Sequence, residues 1–178
     1  CIMVTQGGKS IRFRESDVPV RGRPAGGVRG IEMRDETGRI ADRVVAVDLV
    51  DEAKQLLVVG DRGVGKRSDL KLYRRQARGG RGLITMDITE KTGSVVAATV
   101  VDNDDRLMII TQNGITIRVP VSGIRSAGRS TQGVRLINLE AGDRVATIER
   151  LKSLEDEEES GAMSSSAPPP DEASAPTP

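Results

Sequence analysis

The chain has 178 residues, long enough for one domain with a real core, and its charges nearly balance, with 27 Lys and Arg against 26 Asp and Glu. It has no His and a single Cys, which excludes a zinc site of ordinary ligands, a His-based catalytic triad and a disulfide scaffold. With one Tyr, one Phe and no Trp, it also lacks the aromatic platforms on which single-stranded nucleic acid stacks.

The balance conceals two unlike parts. All 27 basic residues and 19 of the acidic ones lie within residues 1–152, a net +8, and the other seven acidic residues, Glu155 to Glu159 with Asp171 and Glu172, give the rest −7. Such asymmetry points to a body that binds a polyanion, followed by an acidic tail. No run of 18 apolar residues and no signal peptide is present, so the expectation is a soluble intracellular protein without a membrane partner. The chain opens on Cys1 inside an apolar run and reads as a piece of a longer protein.

In chain order, CIMVTQGGKSIRF at 1–13 predicts two short strands joined by a glycine turn. RPAGGVRGIEM at 23–33 and a turn at Gly38 follow, then the β-branched run RVVAVDL. LLVVGDRGVGKRS at 56–68 begins the same series again. Within it, Gly60, Gly65 and Lys66 have P-loop spacing, but Arg67 stands where a Ser or Thr must hold Mg²⁺, and no helix opens behind it. The segment is therefore read as a hairpin. RGGRGLITMDI at 78–88, Gly93 and VVAATVV continue the second copy. The third comprises LMIITQNGITIRV at 107–119, RSTQGVRLINL at 129–139, Gly142 and RVATIER. Gly8, Gly63 and Gly114 correspond across the copies, as do Gly27, Gly82 and Gly133.

The expected fold is all-β, three propeller-like blades of about four strands each, near 1–55, 56–106 and 107–152. The first strand of each copy, such as Leu107 to Ile110, should be buried on both faces. The second alternates, as in Ile115 to Arg118, and should leave one wet face that carries the arginines. Residues 153–178, rich in Ser, Ala, Pro and acid, cannot bury enough surface to offset their ordering entropy and are expected to be disordered.

Arginine recurs at fixed places in the copies. Arg12, Arg67 and Arg118 sit on the second strands, Arg23, Arg78 and Arg129 ahead of a glycine, and YRRQARGGRG at 73–82 adds Arg74, Arg75 and Arg81. With Arg135, these ten are the candidates for phosphate contact, because guanidinium forks pair bidentately with phosphate oxygens and glycines let backbone come close. A solubility loop has no reason to repeat its arginine positions. Tyr73 lies in a repeat loop and is read as a packing residue, since nothing around it supports a nucleophile.

Gln76, Ala77, Arg78, Gly79, Gly80, Arg81 and Gly82 resemble the gyrase A box, Gln-Arg-Arg-Gly-Gly-Lys/Arg-Gly, with Ala77 in place of the first Arg. Together with GVRGIEM, ITEKTGSVVAA, VSGIRSAGRSTQGVRLI and IITQNG, the body is similar to the C-terminal domain of the bacterial DNA gyrase A subunit. The resemblance implies a β-pinwheel whose basic rim wraps duplex DNA for ATP-dependent negative supercoiling. It implies as partners a second A subunit together with the gyrase B subunit. Strand cutting, ATP and Mg²⁺ would belong to other parts of the holoenzyme, in the bacterial cytoplasm with the nucleoid. In the family the box belongs to the first blade, so residues 76–82 are read as a box-like repeat element, and the chain holds only about three of the family's usual six blades. The runners-up are the equivalent domain of topoisomerase IV, whose blades are less regular, and a protein-interaction propeller with no nucleic-acid role.

Overall fold

The structure is a computed structural model that describes residues 1–152; the expectation of disorder for 153–178 falls outside the described residues. Eleven strands follow one another: β1 Ile2–Thr5, β2 Lys9–Arg12, β3 Val44–Asp48, β4 Gln55–Gly60, β5 Val64–Asp69, β6 Leu83–Ile84, β7 Val95–Val101, β8 Arg106–Thr111, β9 Thr116–Pro120, β10 Val134–Arg135 and β11 Val145–Leu151. After β2, β5 and β9 the chain makes one 3-10 turn, at Glu15–Asp17, Leu70–Leu72 and Val121–Gly123. The first two strands of each copy form a hairpin. Gly8, Gly63 and Gly114 take φ of 76°, 76° and 86°, a left-handed conformation that side chains with a Cβ resist.

The strands form three antiparallel sheets, in the orders β3-β1-β2-β6, β10-β5-β4-β7 and β11-β8-β9. A blade is not one copy of the repeat, as the sequence suggests. β6, from the second copy, pairs with β2 of the first, with Leu83 opposite Ser10. β10, from the third copy, pairs with β5 of the second, with Val134 opposite Gly65. Each donated strand thus stitches a sheet to the copy that follows it. Such short strands have no period of their own to betray which sheet they join.

Two apolar layers hold the sheets together. Ile2, Val4, Leu56, Val58, Tyr73 and Met86 fill the first, and Leu57, Val59, Leu107, Ile109, Ile124 and Val145 the second. Alternate residues of β4 point into opposite layers, so this strand is buried on both faces as its unbroken apolar run predicts. Tyr73, 1% exposed, is a core residue. The expectation of a wet arginine face on the second strands fails for two copies. β5 is buried from Val64 to Ser68 and β2 from Ser10 to Arg12, because the following copy covers them. Only β9 alternates, with Thr116, Arg118 and Pro120 exposed.

Candidate nucleic-acid interface

The ten arginines divide into three sets. Arg12 and Arg67 are 9% and 8% exposed, and both reach into the 3-10 turn of the next copy. Arg12 donates to the carbonyls of Leu70 and Tyr73 at 3.3 and 3.2 Å, and to Glu52 Oε1 at 2.5 Å. Arg67 donates to the carbonyls of Ile124 and Ser122 at 2.7 and 3.3 Å, and to Asn103 Oδ1 at 3.0 Å. Tyr73 and Ile124 are equivalent in the repeat, as are Glu52 and Asn103. A turn that ends a strand leaves carbonyls that need donors, and a guanidinium with five N–H groups supplies them. The phosphate role expected of Arg12 and Arg67 is therefore replaced by a structural one: they fasten adjacent blades.

Arg78 and Arg129 are half-buried. Arg78 Nε donates to the carbonyl of Asp17 at 2.8 Å and Nη1 to that of Arg29 at 3.2 Å. Arg129 Nη1 donates to the carbonyl of Ile84 at 2.7 Å, the counterpart of Arg29 one copy on. These two tie their loops back to the preceding copy while part of each side chain stays in solvent.

Arg23, Arg74, Arg75, Arg81, Arg118 and Arg135 are exposed. Arg75, Gln76, Ala77 and Arg78 line an open groove of about 970 Å³ together with Arg14 and Asp17 of the first copy. Gln76 Nε2 is buried without a hydrogen-bond partner among the described residues. Arg14 escapes reasoning from the repeat, because its counterparts are Asp69 and Pro120. Arg125, also exposed, corresponds to Arg74 and is within reach of that reasoning.

Glycine lets the box-like loop return to the sheet. Gly82 has φ of 72°, and a Cβ there would lie 2.5 Å from the carbonyl oxygen of Ser10; Gly133, with φ of 94°, would meet that of Gly65 at 2.5 Å. Both glycines precede a donated strand, and the close approach is what brings it into register. The remaining P-loop-like feature is disposed of by the same geometry. Gly60 to Ser68 span a β-hairpin, and Lys66 is 0% exposed on β5. Among the described residues, no helix is long and apolar enough to cross a membrane.

The family described as DNA gyrase C-terminal domain, beta-propeller, matches residues 1–51, 54–102 and 105–152. The DNA gyrase A subunit of Deinococcus deserti is 41% identical over 147 residues, 81% of this chain and 18% of the relative. That of Staphylococcus aureus strain MRSA252 is 42% identical over 150 residues, 83% of this chain and 16% of the relative. The chain thus spans less than a fifth of the length of these relatives. A solved gyrase A C-terminal domain superposes with a TM-score of 0.77 at 25% identity, over 85% of this chain and 50% of the other. The C-terminal domain of DNA topoisomerase IV shares the fold, with a TM-score of 0.79 at 21% identity over 92% and 50% of the two chains. Three hairpin repeats laced by donated strands, with arginine at recurring positions, and a family match across nearly all of the described residues place this chain in the DNA gyrase A C-terminal β-propeller family.

Proposed function

We propose that residues 1–152 are a DNA-wrapping unit of gyrase A, in three repeats near 1–55, 56–106 and 107–152, with 153–178 as an acidic tail. The unit contacts duplex phosphates along its outer loops with little base readout. It supports negative supercoiling by a bacterial holoenzyme that includes a second A subunit together with the gyrase B subunit. ATP, Mg²⁺ and strand cleavage belong to that larger assembly.

One observation carries this reading. The loop between β5 and β6 is anchored by Arg78 and Gly82, yet leaves Arg74, Arg75 and Arg81 in solvent, and the next junction repeats the arrangement with Arg129, Gly133 and Arg125. Exposed cations held on two anchored loops in equivalent places suit a polyanion. The groove between Arg14 and Arg75 adds a concave place for a backbone phosphate. A protein-interaction propeller would not need anchored loops that hold arginine in solvent at both junctions. Kinship of sequence with proteins named as gyrase A favours gyrase over topoisomerase IV.

Equilibrium binding of the chain to duplexes of several sequences, measured over a salt series, tests the proposal. With roughly five phosphates engaged, log K should fall with log salt at a slope of about −4 to −5, alike for all sequences. A slope near zero, or strong preference for one sequence, overturns it.

A further inference from the structure

Within β5 the sequence breaks its own repeat. Where the first copy has Ile11 and Phe13, 1% and 4% exposed and packed with Ile31, the second has Lys66 and Ser68, both 0% exposed. An apolar pair is replaced by a polar pair, and the loop lying over it is held in a different way. Lys66 Nζ donates to the carbonyls of Gly128 and Arg129, each at 2.5 Å, and to Ser68 Oγ at 3.3 Å. Ser68 Oγ donates to the carbonyl of Ala127 at 2.9 Å. Three successive carbonyls of the loop between β9 and β10 are thus turned onto two side chains of β5. The loop also borders a cavity of about 290 Å³, lined by Lys66, Arg125, Ala127, Thr131 and Gln132 among others. Backbone hydrogen bonds to Arg67 and the Arg67 guanidinium also hold this loop, as Arg12 holds its counterpart; Lys66 and Ser68 add side-chain hydrogen bonds where the first copy has apolar packing.

We propose that Lys66 is a positioning residue of the DNA interface, which seats residues 124–133 so that Arg125 faces solvent and Arg129 reaches back to Ile84. The inference rests on the DNA-wrapping reading above. Lys66 itself, buried, touches no phosphate. Its chemistry suits that role, because an ammonium presents three donors and no acceptor and so gathers carbonyls that would otherwise be left unpaired at a loop. Placing it there has a cost, because a buried charge without a carboxylate partner is poorly solvated.

That cost makes the seat titratable. The charged and titratable groups around Lys66 are Arg129 and Arg125 from the loop, and the phenol of Tyr73, which lies with Ser68 and Thr85. Desolvation, and then the like charge of Arg129, lower Lys66 from 10.5 to about 8. Opening the loop returns water to the amine and removes Arg129, so the open state binds the proton more tightly. By linkage, closure must strengthen as pH rises from about 8 toward 10.5. The neutral amine still has two N–H groups for the two carbonyls.

Two amides in equivalent places read the loop directly: Ala127 N–H donates to the carbonyl of Arg67, and Gln76 N–H to that of Arg12. Lys66→Met in the full chain should lower the exchange protection of Ala127 and leave Gln76 as it was. It should also make the salt slope of duplex binding shallower by about one unit for each phosphate no longer engaged. Lys66→Ile combined with Ser68→Phe, which installs the first-copy pair, should restore both readouts. An equal loss of protection at Ala127 and Gln76, or an unchanged slope, overturns the proposal. Should Lys66→Met fail to fold, the wild-type chain decides. Pulse-labelled exchange should show Ala127 protection, corrected for intrinsic rate, rising relative to Gln76 as pH goes from about 8 toward 10.5, the range in which the open loop binds the proton and the closed one releases it. Parallel profiles at the two amides overturn it. Absence of salt-dependent duplex binding by the wild type would sink the DNA reading instead, and the amide comparison would still settle the seat of the loop.

Discussion

Arginines at matching places in the repeat do unlike work, and the neighbour each one meets decides which. Arg12 and Arg67 enter the following copy and serve its turn carbonyls, whereas Arg118, the third of the series, is exposed on β9. Replacing Arg12 or Arg67 by Met should cost about 3 kcal/mol, since each leaves buried acceptors unpaired; urea unfolding measures it. Arg81→Ala, at an exposed site, should change stability by no more than about 0.5 kcal/mol and should make the salt slope of duplex binding shallower by about one unit. The two junctions also differ in their response to acid. The hydrogen bond and charge of Arg12 hold the Glu52 carboxyl below its usual value of 4.5. A depressed carboxylate stabilises the fold fully above its unfolded pKa, and that support is lost as pH falls through the folded one. Asn103, the counterpart that accepts from Arg67, does not titrate. Acidification from pH 6 to 3 should therefore loosen the Gln76 amide at the first junction before the Ala127 amide at the second, which exchange measurements would show; simultaneous loosening would refute the assignment.

At the scale of elements, the donated strand is what turns three repeats into a continuous object. Gly82→Ala and Gly133→Ala put a Cβ against the carbonyl of Ser10 or Gly65 in a left-handed backbone, at a cost of at least about 1–2 kcal/mol each. Gly27→Ala, where nothing lies within 4 Å of the added carbon, should fall within about 0.5 kcal/mol of the parent. Thermal melts of the three variants separate these outcomes. The hairpins are legible in the sequence because apolar runs and turn glycines recur in one frame at Gly8, Gly63 and Gly114. The exchange of strands is not, because β6 and β10 are two residues long and sit inside loops. Alternation along β5 shows that Lys66 and Arg67 point to opposite faces; it cannot show that a later copy covers both. For the same reason the box-like arginines stand out in the sequence, but the division between Arg78, which grips the first copy, and Arg81, which faces water, needs coordinates. Arg14 escapes because it belongs to one copy only, and a groove built from two copies has no signature in either.

At the scale of the whole chain, charge is split between a basic body and an acidic tail. The body carries a net +8, and the seven carboxylates that follow Lys152 are covalently tied to it. Glu155 to Glu159 lie outside the described residues but begin only a few residues beyond β11, so tethering and charge alone set what they can do. A tethered anion acts at an effective concentration of the order of millimolar when its linker is short, and clustered carboxylates compete with phosphates for the same guanidinium groups. At about 0.15 M salt the attraction extends over roughly 8 Å, and over more as salt is lowered. Deleting residues 153–178 should therefore tighten duplex binding, most at low salt. The comparison to make is the affinity of full and truncated chains across one salt series. Curves that converge as salt rises support competition by the tail, and curves that superimpose throughout leave the acidic segment without a part in DNA binding.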